Sequence, residues 1–144
     1  MNVRNVTEHI VIHCAATKPS MDTDADDIDR WHRERGWLKI GYHFVIKRDG
    51  TIQSGRDVDE IGAHAKGYNA TSVGVCLVGG LSEDNKPEEN FTEDQWNSLS
   101  SVIETLTNKY PDAEVIGHNN ISDKTCPNFD VGEWYANYRQ EQLL

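Results

Sequence analysis

At 144 residues, with 37% apolar residues and a formal net charge of −10 at pH 7, the chain can bury one core without staples and has a globular rather than a disordered composition. Fourteen Lys and Arg against 24 Asp and Glu exclude a nucleic-acid binder working by phosphate neutralisation, and give no attraction to an anionic membrane surface. The amino terminus, Met1 to Glu8, has no apolar signal core and no run approaches a membrane span, so the expectation is one domain, residues 1–144, made in a cytosol with no signal peptide.

The β-branched run His9 to Cys14 is a predicted strand. Alternation puts His9, Val11 and His13 on one face. At roughly 3.3 Å per residue the two histidines stand about 13 Å apart, so only one of them can serve a given metal ion. His13, at the C-terminal end of the strand, is the candidate; the plain alternative is a core or rim histidine. Thr23 or Asp22 can cap a helix running to about Arg35, with Asp24, Asp26 and Asp27 near its positive end. Ile28, Trp31 and Arg35 fall at helical spacing, which makes Trp31 a core residue and leaves His32 half-buried at the surface. Gly36 stops the helix, and Trp37-Leu38 anchors the crossing that follows.

Gly41 to Lys47 and Thr51 to Ser54, joined through Asp49-Gly50, form a predicted hairpin. Its alternation separates Tyr42, Phe44 and Ile46 from His43, Val45 and Lys47, so Tyr42 and His43 cannot point into one cleft. Gly55 to Asn69 is glycine-rich and irregular: a groove-lining loop or a plain surface loop. Ser72 to Gly80 is almost continuously apolar or small, as a central strand covered on both faces would be, with Cys76 as a packed thiol. Leu81 to Asn90 is a charged, solvated loop. A capping box, Thr92-Glu93-Asp94-Gln95, opens a helix with Trp96, Leu99, Ile103 and Leu106 on one face, ending before Pro111. Glu114 to Gly117 is a short last strand that delivers His118. Asp130 to Glu133 reads as a second capping box, starting a terminal helix with Trp134 and Tyr138 inward. The order of elements predicts an α/β single domain, a mixed, mainly parallel sheet of about five strands flanked by three helices.

Between Gly117 and Asp130 a histidine and a cysteine flank a polar loop carrying Lys124. Imidazole and thiolate together suit zinc better than calcium or magnesium. Three cysteines, an odd number, read as buried thiols or metal ligands rather than as a disulfide framework. If the strands that end at His13 and His118 are neighbours, His13, His118 and Cys126 make a three-ligand site with an open fourth position, the pattern of catalytic zinc. Such an ion brings the pKa of water towards about 7.

Five ordered blocks carry a resemblance: Ile12 to Thr17, Gly41 to Phe44, Gly62 to Asn69, Ser72 to Gly80 and Lys124 to Asp130. Together they resemble the small zinc N-acetylmuramoyl-L-alanine amidases of the bacteriophage lysozyme type, to which the peptidoglycan recognition proteins are related. The resemblance runs from about Glu8 to Trp134. It implies hydrolysis of the amide between the lactyl group of N-acetylmuramic acid and L-alanine of the stem peptide. It implies Zn2+ held by His13, His118 and Cys126, and catalytic roles for Tyr42 and Lys124, with Tyr42 orienting water or carrying a proton. His64 and Asn69 match a groove segment and are expected to touch substrate. Relatives that recycle wall fragments use aspartate as third ligand and a glutamate on the central strand; Cys126 and Cys76 stand there here, which favours the phage branch and leaves the proton acceptor open. The expected role is that of an endolysin, a monomer held in the host cytoplasm until it is released to the cell wall. The alternatives are a non-catalytic peptidoglycan-binding module, and an amidase that also binds and inhibits a phage RNA polymerase.

Overall fold

The structure is a computed structural model that describes residues 2–143. In chain order it contains β1 (His9–Cys14), α1 (Ala25–Glu34), β2 (Phe44–Ile46), β3 (Ile52–Ser54), β4 (Ser72–Leu77), α2 (Glu93–Lys109), β5 (Glu114–Gly117) and α3 (Val131–Gln142), with 3-10 turns at Asn69–Thr71 and His118–Asn120. The strands form one mixed sheet in the order β3-β2-β4-β1-β5. Only the β2–β3 hairpin is antiparallel. β4 is the middle strand and every one of its residues is buried, as its apolar run predicts.

The two faces of the sheet are covered differently. On one, Ile10 and Ile12 of β1, Val73, Val75 and Leu77 of β4 and Ile46 of β2 meet Leu99, Val102, Ile103 and Leu106 of α2. On the other, a smaller cluster joins Val45, Cys76 and Val78 to Ile28 of α1 and Ile40. His13, between Ile12 and Cys14 in the alternation of β1, faces this thinly covered side. The site is built there.

Several local expectations change. Neither Thr23 nor Asp22 caps α1; Asp24 does, accepting the Asp27 N–H at 2.9 Å while the Asp27 carboxylate accepts the Asp24 N–H at 3.1 Å. An aspartate at the third position completes that box because its carboxylate also reaches the cap amide. Within α1 the buried positions are Ile28 and His32, and Trp31 only flanks the cluster. The helix ends at Gly36, φ +90°, as expected. Leu38 is 86% exposed and Trp37 38%, so this pair does not anchor the crossing. Strand β2 begins only at Phe44; Tyr42 therefore escapes its alternation and packs on the Val45 side. The box expected at α3 is half made: Asp130 accepts the Glu133 N–H at 3.0 Å without a reciprocal bond. Trp134 packs on the core and Tyr138 stacks on it, their ring centroids 5.9 Å apart. No helix among the described residues is long and apolar enough to cross a membrane.

Candidate active site

Register brings the first two candidate ligands together. β1 and β5 run parallel with Ile12 opposite Gly117, so the next residue on each strand, His13 and His118, emerges at the same C-terminal edge. Their ring centroids lie 4.5 Å apart. Cys126 returns to the end of β1, where the Cys14 N–H donates to its Sγ at 3.0 Å. One donor atom from each of His13, His118 and Cys126 falls within 4.8 Å of the others.

The loop carrying Lys124 and Cys126 is held by its own polar side chains. Asn120 Oδ1 accepts the Gly117 N–H at 2.8 Å, and Ser122 Oγ donates to the His118 carbonyl at 2.9 Å. Asn119 Nδ2 reaches the carbonyls of Thr125 and Phe129. Asn128 Nδ2 then ties the far end to the Gly80 carbonyl at 2.7 Å. Asparagine suits such loops because its amide supplies donor and acceptor over a short reach.

The donors lie in a recess of about 210 Å³ also lined by Tyr42, His64 and Lys124. It opens on a groove of about 710 Å³ walled by Trp37, Lys66, Asn69 and the Ile121–Lys124 loop. Tyr42 reaches the recess with its ring 5.0 Å from that of His13, and Lys124 is exposed at the rim. His43 does not enter it: its Nε2 pairs with the Glu60 carbonyl at 2.7 Å and its Nδ1 accepts the Gly74 N–H at 3.0 Å, so it and Tyr42 serve different places. Asn69 Oδ1 accepts the N–H groups of His64 and Ala65, both at 2.8 Å, shaping the segment that lines the groove. His64 is buried, with its Nδ1 2.8 Å from His13 Nε2.

Electrostatics favour ligand-ready imidazoles. Burial, then the neighbouring His64, His118 and Lys124, hold the His13 pKa well below 6.5; burial and Lys124 lower His118. Neutral imidazole is the form that binds a cation. The Cys14 thiol and burial push Cys126 up, but a bound divalent ion inverts that logic and deprotonates a coordinating thiol. Burial, then the nearby cysteines, raise the Tyr42 phenol well above 10, so it stays protonated. Two imidazoles and a thiol at this spacing fit a borderline-soft metal, zinc before magnesium or calcium. No carboxylate is among the described residues lining the recess.

Sequence reasoning missed two contributors. Trp37, expected to be packed, instead forms a groove wall, with its ring 4.5 Å from that of His32. His32 supports it from beneath, accepting the Gly41 N–H on Nδ1 at 2.9 Å. The spacing of Ile28 and His32, four residues apart, was the available signal.

Residues 3–129 match the family described as N-acetylmuramoyl-L-alanine amidase. The endolysin of Enterobacteria phage K11 is 49% identical over 131 residues, covering 91% of this chain and 87% of that protein. Peptidoglycan-recognition protein LB of Drosophila melanogaster is 32% identical over 126 residues, 83% of this chain and 53% of that one. Among solved structures, the N-acetylmuramoyl-L-alanine amidase LysC from Clostridium intestinale superposes with a TM-score of 0.80 at 31% identity, covering 94% of this chain and 85% of that one. The chain therefore belongs to the N-acetylmuramoyl-L-alanine amidase family, as an enzyme of the bacteriophage lysozyme type related to the peptidoglycan recognition proteins.

Proposed function

We propose that this amidase is a zinc-dependent endolysin that cuts the bond between the lactyl group of N-acetylmuramic acid and L-alanine, waiting in the host cytoplasm until it is released to the wall. The observation that carries the reading is the convergence of His13, His118 and Cys126 in a recess at the end of an open groove. A groove suits a glycopeptide strand, which must lie along the surface with its scissile amide at the recess. Asn69 and His64 are among the residues that wall this groove, which supports a contact with that strand.

A zinc ion at these donors supplies Lewis acidity to an amide carbonyl and brings the pKa of water towards about 7. Hydrolysis forms a C–O bond to water and breaks the C–N bond; a proton from the water must end on the departing alanine nitrogen, and negative charge builds on the carbonyl oxygen before that nitrogen leaves. Lys124, at the rim two residues before Cys126, is placed to meet that charge. Tyr42, kept protonated, offers an O–H donor within the recess, a role in orienting the reacting groups rather than in accepting their proton. With zinc, the protein is expected to release stem peptides with a free L-alanine amine from isolated sacculi, as read by mass spectrometry. Chelation should abolish the release, zinc should restore it, and Cys126→Ser should lack it. Cut glycan strands would show that the wrong bond has been assigned; sacculus binding without product would favour a binding module instead.

A further inference from the structure

The rings of His13 and His64, 51 residues apart in sequence, meet edge to face, and their hydrogen bonds have only one consistent direction. Ser72 is fully buried at the head of β4. Its Oγ lies 2.7 Å from the Tyr68 carbonyl, which can only accept, so the single hydroxyl proton of Ser72 goes there. Towards His64 Nε2, 3.2 Å away, the same oxygen can therefore only accept. His64 must carry its proton on Nε2. In a neutral ring that leaves a lone pair on Nδ1, 2.8 Å from His13 Nε2. His13 must in turn carry its proton on Nε2, and its free lone pair is on Nδ1.

The slot that holds His64 is cut for this ring. A Cβ on Gly74 of β4 would stand 2.6 Å from His64 Cγ, and one on Gly62 would stand 2.8 Å from His64 Cδ2. Side chains at either position would displace the imidazole from the face of the sheet. The backbone N–H of His64 is pinned in addition by Asn69. The polar atoms of His64 are thus committed inward, although its segment borders the groove.

We infer that His64 and Ser72 form a relay of hydrogen bonds that sets the tautomer of His13, presenting Nδ1 rather than Nε2 to the metal. The inference rests on the metal-site reading above. His64 is a positioning residue: it fixes the ring angle and the donor atom of a ligand, and its loss leaves His13 free to turn or to protonate the wrong nitrogen. Outer partners of ligand histidines commonly act in this way.

Two measurements test it. Long-range proton–nitrogen NMR of the metal-free protein reads the tautomer directly, and His13 is expected to show a protonated Nε2 and a pyridine-type Nδ1. Zinc competition against a chromophoric chelator then reads the consequence. His64→Leu should weaken zinc binding by roughly 10- to 100-fold, whereas His64→Asn, whose Oδ1 can take the place of Nδ1 as acceptor, should recover most of the loss. A protonated Nδ1 on His13 in the wild type would overturn the inference, and so would wild-type zinc affinity in His64→Leu. Should the leucine variant fail to fold, the wild-type NMR spectrum decides alone. A wild type that shows the expected tautomer yet binds no zinc would instead sink the metal-site reading.

Discussion

The two side chains proposed to take part in the reaction sit in different physical settings. Tyr42 is enclosed and keeps its proton; Lys124 is exposed at the rim and free to meet a charge that forms only during reaction. Removal of a donor aimed at a developing oxyanion costs about 10²- to 10³-fold in kcat. Tyr42→Phe and Lys124→Met should each lose activity on that scale, with zinc affinity and circular dichroism as in the wild type. An unchanged kcat in either variant would take that residue out of the reaction. At this scale the sequence was informative about the ligands and poor on their support. The grouping of His13, His118 and Cys126 as candidate ligands was legible because strand ends and a short polar loop mark such positions locally. The bond from His64 to His13 could not, because it joins two segments 51 residues apart that share no periodicity. Tyr42 was placed on the wrong face for a related reason: β2 starts three residues later than the predicted strand, and alternation does not extend before the first ladder bond.

Among the elements, α2 shows how a motif read for one purpose serves another. Thr92 and Gln95 form the expected capping box: Thr92 Oγ1 accepts the Gln95 N–H at 3.1 Å, and Gln95 Oε1 accepts the Thr92 N–H at 3.0 Å. Gln95 is also fully buried, and its Nε2 donates to the carbonyls of Ile46 at 3.1 Å and Val78 at 2.8 Å. One amide thus joins the start of α2 to the ends of β2 and β4, and Arg48 Nη1 adds a fourth bond to Oε1 at 3.1 Å. Gln95→Met keeps the volume but strands these groups, and should destabilise the fold by about 3 kcal/mol in urea titration. Thr92→Ala should cost about 1 kcal/mol, as an ordinary cap does. Equal costs for the two would mean that the buried amide contributes nothing beyond capping. Periodicity identified the α2 face correctly at Leu99, Ile103 and Leu106, yet it had no means of marking a polar residue as interior. Trp37 is the converse, an aromatic ring whose type suggests a core and whose place is the wall of a groove.

Taken whole, the molecule buries neutral histidines inside a strongly acidic chain, and the two features pull its pH response in opposite directions. Burial lowers the pKa of both His32 and His43 to about 4, from 6.5. The folded protein therefore binds fewer protons than the unfolded chain between those values. Stability from these rings is complete above about pH 6.5 and is lost as pH falls towards 4. Relief of self-repulsion, in a chain of net charge −10, would act the other way. The histidine effect is expected to win: in the presence of chelator the denaturation midpoint should be lower at pH 5 than at pH 7. A midpoint that rises on acidification would show that charge relief dominates. The architecture itself was legible, the strands and helices following from pattern and the mixed sheet from their order. Strand neighbours were not, since β1 pairs with β4 and β5 across distances that no local signal spans.

That pairing also has a kinetic consequence. His13 and His118 become neighbours only when the parallel strands β1 and β5 are in register, with more than a hundred residues between them in the chain. In a partly collapsed chain a cation would find His118 and Cys126 on one short loop, without His13. An ion held by all three donors would act as a latch on the finished structure, lengthening the lifetime of the native state more than it speeds its formation.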